Sequence, residues 1–170
     1  MPKPDLQNVP EHLHEEILLV KYSDLKDAFS NRADSLSFLK NIPKKKWGYR
    51  YAEQKWSIRE VVQHLIDAER IFCNRALVIV RKDRSTPLLP FEEKDYAAAS
   101  KADLRSKKDL ISEFKAVQES SRRLFASFDE EQLSSTGTVG TYTIDVNTLG
   151  FVVVGHTLHH VKIIKERYLT

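Results

Sequence analysis

Two histidines one helical turn apart, His156 and His160, lie in the apolar segment Leu149-Gly-Phe-Val-Val-Val-Gly-His-Thr-Leu-His-His-Val-Lys-Ile-Ile164. A third, His64, lies far upstream in Trp56-Ser-Ile-Arg-Glu-Val-Val-Gln-His-Leu-Ile-Asp-Ala-Glu-Arg70. An imidazole on a core-facing stripe needs a partner, because burying a polar group without one costs free energy. Histidines at offset four on one helix form a recurrent chelate for a divalent metal. The same spacing also fits two core histidines bonded to backbone or to buried water. On spacing alone both readings stand.

Several other chemistries fall away. Thr157 follows His156, so the His-Glu-x-x-His motif of metalloproteases is absent. Carboxylate-rich di-iron bundles need Glu-x-x-His on two helices and two further glutamates. Glu11-His-Leu-His14 is the one such spacing here, and it sits near the N-terminus. There is no Gly-rich phosphate loop, no Cys-x-x-Cys and no Gly-x-Ser-x-Gly elbow.

The net charge of +3 is too small to imply a polyanionic partner. The dense basic run Lys44-Lys45-Lys46 precedes Trp47-Gly-Tyr-Arg-Tyr51 and reads as a solvated loop whose aromatics dock on the core. No nucleic acid is expected. Cys73 is the single cysteine, which fits a reducing compartment. The first residues carry no apolar signal-peptide core, and no apolar stretch approaches the ~20 residues of a membrane span. A cytoplasmic protein without membrane contact is expected.

The positioning elements read as helices. A length of 170 residues argues for one domain, 1–170, with residues 1–22 as an N-terminal arm holding a short helical turn over 10–20. The first long helix is predicted to start near Ser23, with Leu25, Phe29, Arg32, Leu36 and Leu39 on one stripe that Arg32 interrupts. Asn41-Ile-Pro43 stops it. The second helix has the clearest start: Ser57-Ile-Arg-Glu60 is a capping box, and Trp56 can staple onto Val61. A long connection over 83–103 follows, then a third helix from Ser106. Residues 134–141 read as a turn-rich connection, and a fourth helix runs from Asp145 to about Tyr168. Gly150 and Gly155 read as close-packing sites within it. Four amphipathic helices with a long crossover describe an all-α four-helix bundle.

At about 100° per residue, His160 lies roughly 40° from His156, on the same side as Leu149, Val152, Val153 and Ile163. Both imidazoles belong to the inward stripe, whereas His159 falls at its edge. His64 aligns with Val61, Ala68 and Ile71 on the second helix.

The run Tyr49-Arg-Tyr-Ala-Glu-Gln-Lys-Trp-Ser-Ile-Arg-Glu-Val-Val-Gln-His-Leu-Ile-Asp-Ala-Glu-Arg70, with Arg75-Ala-Leu77 after it, resembles the DinB/YfiT-like family. So does Gly155-His-Thr-Leu-His-His-Val-Lys-Ile-Ile-Lys-Glu-Arg-Tyr168. The resemblance extends through Thr86-Pro-Leu-Leu-Pro-Phe-Glu-Glu93 and Glu113-Phe-Lys-Ala-Val117 and covers the chain from about residue 17 onward. It implies an up-down-down-up four-helix bundle, often a homodimer. It also implies a divalent metal, commonly zinc or nickel, on His64, His156 and His160. His159 matches a recurrent histidine of the motif that is not a ligand.

Three neutral imidazoles leave a divalent ion its full charge and an open position. A bound water is thereby acidified to a pKa near 7, and a bound thiol is deprotonated. The resemblance favours transfer of a low-molecular-weight thiol to an electrophile. Metal-dependent hydrolysis and a non-catalytic, stress-related metal-binding bundle are the alternatives. Ligating histidines normally donate their other ring N–H to an acceptor. Glu60, Asp67 and Asn147 are in phase to accept it, and Glu60 and Asp67 also have ordinary roles as a cap and a solvated residue. Arg75, about three turns past His64, is a candidate for an anionic substrate group or for a structural ion pair.

Overall fold

The computed structural model describes residues 1–169 and shows a mostly helical fold. Its helices are α1 (His14–Leu19), α2 (Leu25–Ser30), α3 (Ala33–Asn41), α4 (Ile58–Val80), α5 (Glu93–Ala99), α6 (Lys107–Ala126), α7 (Glu130–Ser134) and α8 (Val146–Ile163). A hairpin of β1 (Thr136–Val139) and β2 (Tyr142–Asp145) joins α7 to α8. Four columns form the body: α2 with α3, α4, α6 and α8. Helix α4 packs against both α6 and α8, and the α2–α3 column closes the ring against the same two helices. No described helix is long and apolar enough to cross a membrane.

Caps explain where the long helices begin. Ser57 Oγ accepts from the Glu60 N–H at 3.2 Å while the Ser57 N–H donates to Glu60 Oε2 at 2.7 Å, so the capping box opens α4 as expected. Ser106 caps α6, and Asp145 caps α8 by accepting from the Thr148 N–H at 2.7 Å. The first column departs from expectation. Its cap is Asp24 instead of Ser23, and Asp24 also binds the Met1 ammonium at 3.0 Å. The column then breaks at Asn31 and Arg32, where the chain turns between α2 and α3. Arg32 turns inward to a buried carboxylate, which explains a charge in the middle of an apolar stripe.

The hairpin is the departure from an all-α chain. Gly140 takes φ +57° in the two-residue turn between Val139 and Tyr142. The flanking Thr136, Thr138, Val139, Thr143 and Ile144 are β-branched, a composition that favours strands over helix. The segment from residue 134 is therefore more ordered than a plain turn.

The N-terminal segment is part of the fold. Ile17 is fully buried and α1 packs along α8, while Leu18 stays exposed and Leu13 is half-buried. Gly155 permits this approach: a Cβ there would stand 2.1 Å from the Glu16 carbonyl oxygen. Trp47 is fully buried, with Lys107 Nζ 5.7 Å from its ring, so the aromatic beside the basic run docks on the core.

The core is divided. One apolar cluster joins α1, α2, the end of α4 and the first half of α8. The other joins the start of α4, α6, Trp47, Ile164 and Tyr168. Between them lies a layer of buried polar groups that includes Arg32, Glu69, Gln118, Ser121, His156 and Thr157.

Candidate metal centre

The first turns of α4 and the last turns of α8 bring three imidazoles together. One ligand atom from each of His64, His156 and His160 lies within 4.8 Å of the other two. The ring centroids are 4.7–4.9 Å apart in edge-to-face arrangement. His64 Nε2 and His156 Nε2 stand 3.1 Å apart. His64 is 3% exposed and His156 8%, while His160 is half-buried.

Aromatic rings wall the group. Trp56 lies 4.9 Å from His64, and Phe91 from the crossover stacks on it at 6.5 Å and 29°. Phe72 meets His156 edge-on at 5.5 Å. The Trp56 wall is braced from the C-terminus, where Ile164–Tyr168 winds into a π-helical turn and the Tyr168 hydroxyl donates to the Trp56 carbonyl at 2.8 Å.

This environment keeps the imidazoles neutral. Burial pushes His64 down to about 4, with His159 adding a smaller repulsion. His156 and His160 are held well below their ordinary value, first by burial and then by the other histidines. Neutral imidazoles are the form that ligates metal. The direct contact between two Nε2 atoms can satisfy one donor and one acceptor. His64 Nδ1 is sealed without any partner. Three convergent nitrogen donors in an apolar wall, with an orphaned buried ring nitrogen among them, fit a divalent cation.

His159 lies at the edge, its ring 5.2 Å from His160 and its Nδ1 3.5 Å from Glu15 Oε1. Glu60 is occupied by its cap and by Arg50. Asp67 accepts from Gln63 Nε2 at 3.0 Å, and burial pushes its carboxyl up. Asn147 donates to the Pro2 carbonyl at 2.8 Å. Arg75 donates to the Leu89 carbonyl at 2.7 Å. Among the described residues, no hydrogen bond links Glu60, Asp67, Asn147 or Arg75 to the triad.

Sequence reasoning missed three groups. Glu69 binds Arg32 through two contacts, and its signal was the unpaired charge of Arg32 on an apolar stripe. Phe91 lies in the long connection, where no periodicity marks it as facing the site. Glu93, on α5, belongs to a polar fringe with Glu16 and His159. Partial burial and then the carboxylates of Glu92 and Glu16 push the Glu93 carboxyl up, while His159 pulls it down.

The fold matches known proteins by structure. YfiT from Bacillus subtilis, described as "a probable metal-dependent hydrolase with an unusual four-helix bundle topology", superposes with a TM-score of 0.70 at 15% identity, over 96% of this chain and 90% of that one. A DinB-like protein of the same organism, YjoA, gives 0.58 at 20% identity over 84% and 87%. The mycothiol-dependent maleylpyruvate isomerase gives 0.61 at 14% identity, over 97% of this chain but 63% of that longer one. No curated protein matches by sequence. The DinB superfamily matches residues 30–164, a span that contains all three histidines, and the chain belongs to that superfamily.

Proposed function

We propose that this protein is a divalent-metal enzyme that transfers a low-molecular-weight thiol to a small electrophile. The observation that carries the reading is the convergence of His64, His156 and His160 within 4.8 Å in a walled, apolar setting. Zinc and nickel are the metals that we assign to it, because imidazole suits both. When bound, such an ion supplies Lewis acidity that lowers the pKa of a thiol or a water.

The residues of the chain do the rest. Burial keeps the three imidazoles neutral, so each has a ring-nitrogen lone pair available at neutral pH. Trp56, Phe72 and Phe91 exclude water from the inner face, which strengthens charge interactions there. In the net reaction a carbon–sulfur bond forms, the electrophile's leaving group departs, and the thiol proton passes to solvent.

The end contacts support an up-down-down-up order. Phe29 stacks on Phe125 while Lys107 reaches the Lys40 and Ile42 carbonyls, so the first column opposes α6. Cys73 meets Ser121 and Ser57 meets Asp103, so α4 runs with α6. Metal-dependent hydrolysis is the second reading, favoured by the likeness to YfiT.

Elemental analysis of purified protein should find about one divalent ion per chain, and His64→Ala or His160→Ala should lose it. Stoichiometric metal in both variants would remove the ligand assignment. Conjugation of an electrophilic dye with cysteine, glutathione and other small thiols, set beside ester hydrolysis, then separates the two reactions. Turnover of esters alone would overturn thiol transfer.

A further inference from the structure

Among the described residues two arginines are buried, and one of them has a counter-charge. Arg32 binds Glu69. Arg75, 5% exposed on α4, has no carboxylate within ion-pair distance among the described residues. One of its N–H groups donates to Leu89 O, and the others have no protein acceptor among the described residues and are not sealed from solvent. A guanidinium taken out of water without a counter-ion is costly, because charge burial is tolerated mainly where it is paired.

Arg75 lines a cavity of about 540 Å³ between α4 and the crossover, together with Ile71, Asn74, Leu88, Phe91 and Tyr96. Arg70 also borders it but is already engaged with Glu113 at 2.7 Å. The cavity therefore offers one unspent positive charge, an amide and an apolar wall. Its position ties it to the triad. The Arg75 guanidinium lies 5.6 Å from the Phe72 ring and 5.9 Å from the Phe91 ring. Phe72 in turn packs on His156 and Phe91 on His64. The guanidinium is thus one aromatic ring away from each of two imidazoles.

We propose that this cavity is the electrophile's binding site and that it selects a small monocarboxylate with an apolar or aromatic body. The inference rests on the thiol-transfer reading and adds the substrate class. The planar fork of Arg75 matches a carboxylate in two parallel hydrogen bonds. Phe91, Tyr96 and Leu88 take the apolar body. A single free charge suits a monoanion better than a phosphate dianion. The Phe91 ring lines the cavity and stacks on His64, so the cavity and the triad share one wall.

The test uses the full chain, metal-loaded and after chelation, with phenylacetate and phenylacetamide as probes followed by NMR. Phenylacetate should shift the Arg75 side-chain N–H and the Asn74, Leu89 and Phe91 amides in both forms, and phenylacetamide should bind about tenfold more weakly. Arg75→Met should weaken phenylacetate by about tenfold and leave phenylacetamide unchanged. If Arg75→Met does not fold, Arg75→Lys keeps the charge, loses the fork, and should weaken phenylacetate alone by several-fold. Equal binding of acid and amide, or shifts confined to the three histidines of the metal-loaded form, would overturn the proposal. Carboxylate binding at Arg75 without any thiol conjugation would sustain the cavity and remove the transfer reading. Conjugation of uncharged electrophiles as fast as carboxylated ones would do the reverse.

Discussion

Arg32 and Glu69 meet through two parallel contacts of 2.7 and 2.5 Å, with side chains only 6% and 3% exposed. The same guanidinium reaches Thr157 Oγ1 at 3.3 Å. One bidentate pair thus joins the break between α2 and α3 to the two helices that carry the histidines. Glu69→Leu leaves a buried cation without its partner and should cost about 3–5 kcal/mol. The double variant Arg32→Met/Glu69→Leu should recover most of that loss. Urea unfolding of the three proteins checks it, and a double variant no more stable than Glu69→Leu would contradict it.

The buried histidines set an acid limit for the metal-free protein. A basic group whose folded-state pKa is lowered stays neutral when folded and protonates more readily when unfolded. Its stabilising effect is present above the ordinary value of about 6.5 and is lost as pH falls through the folded value. For His64 that window runs from about 6.5 down to about 4, and His156 and His160 extend it in the same direction. The unfolding midpoint should therefore drop between pH 6.5 and 4, and drop less steeply in His64→Leu. Parallel pH profiles for the two proteins would refute the assignment.

Gly155 and Gly150 should respond differently to alanine, although both lie in the interior of α8. Helix propensity alone favours alanine by about 1 kcal/mol at each. At Gly155 the new Cβ meets backbone, 2.1 Å from Glu16 O, so α1 must move away. At Gly150 it meets the Leu25 side chain at 2.8 Å and the Phe125 ring at 3.0 Å, and these can turn aside. We expect Gly155→Ala to lose more than about 3 kcal/mol and Gly150→Ala to stay within about 2 kcal/mol of wild type. Hydrogen exchange in α1 should accelerate only in Gly155→Ala.

Tyr168 is 2% exposed, and burial pushes its hydroxyl up to about 12, so it remains a neutral donor to Trp56 O. Tyr168→Phe should cost about 1 kcal/mol and loosen the indole over His64. Trp56 fluorescence should change in Tyr168→Phe, and equal spectra and equal stability would show that the hydroxyl braces nothing.

How much of this was legible in the sequence depended on how local each signal was. The Ser57–Glu60 box, the Ser106 and Asp145 caps and the phase of His64, His156 and His160 are properties of a few neighbouring residues, and all could be read directly. The inward turn of the Arg32 side chain could not, because its partner Glu69 lies thirty-seven residues away. The hairpin hid behind residues that also suit a loop. Its register became definite only with the positive φ of Gly140. Phe91 gave no periodic signal at all, since its place over His64 is set by how the crossover returns to α4.

The contact between His64 and His156 spans 92 positions of the chain. An ion shared by these two residues and His160 would close a loop that encloses the crossover, α6 and the hairpin. For a cross-link of that reach, the entropy removed from the unfolded chain corresponds to about 4–5 kcal/mol in the chain-entropy description. A protein whose one cysteine forbids an internal disulfide would gain through coordination a staple of comparable strength, reversible by a chelator and adjustable by metal supply.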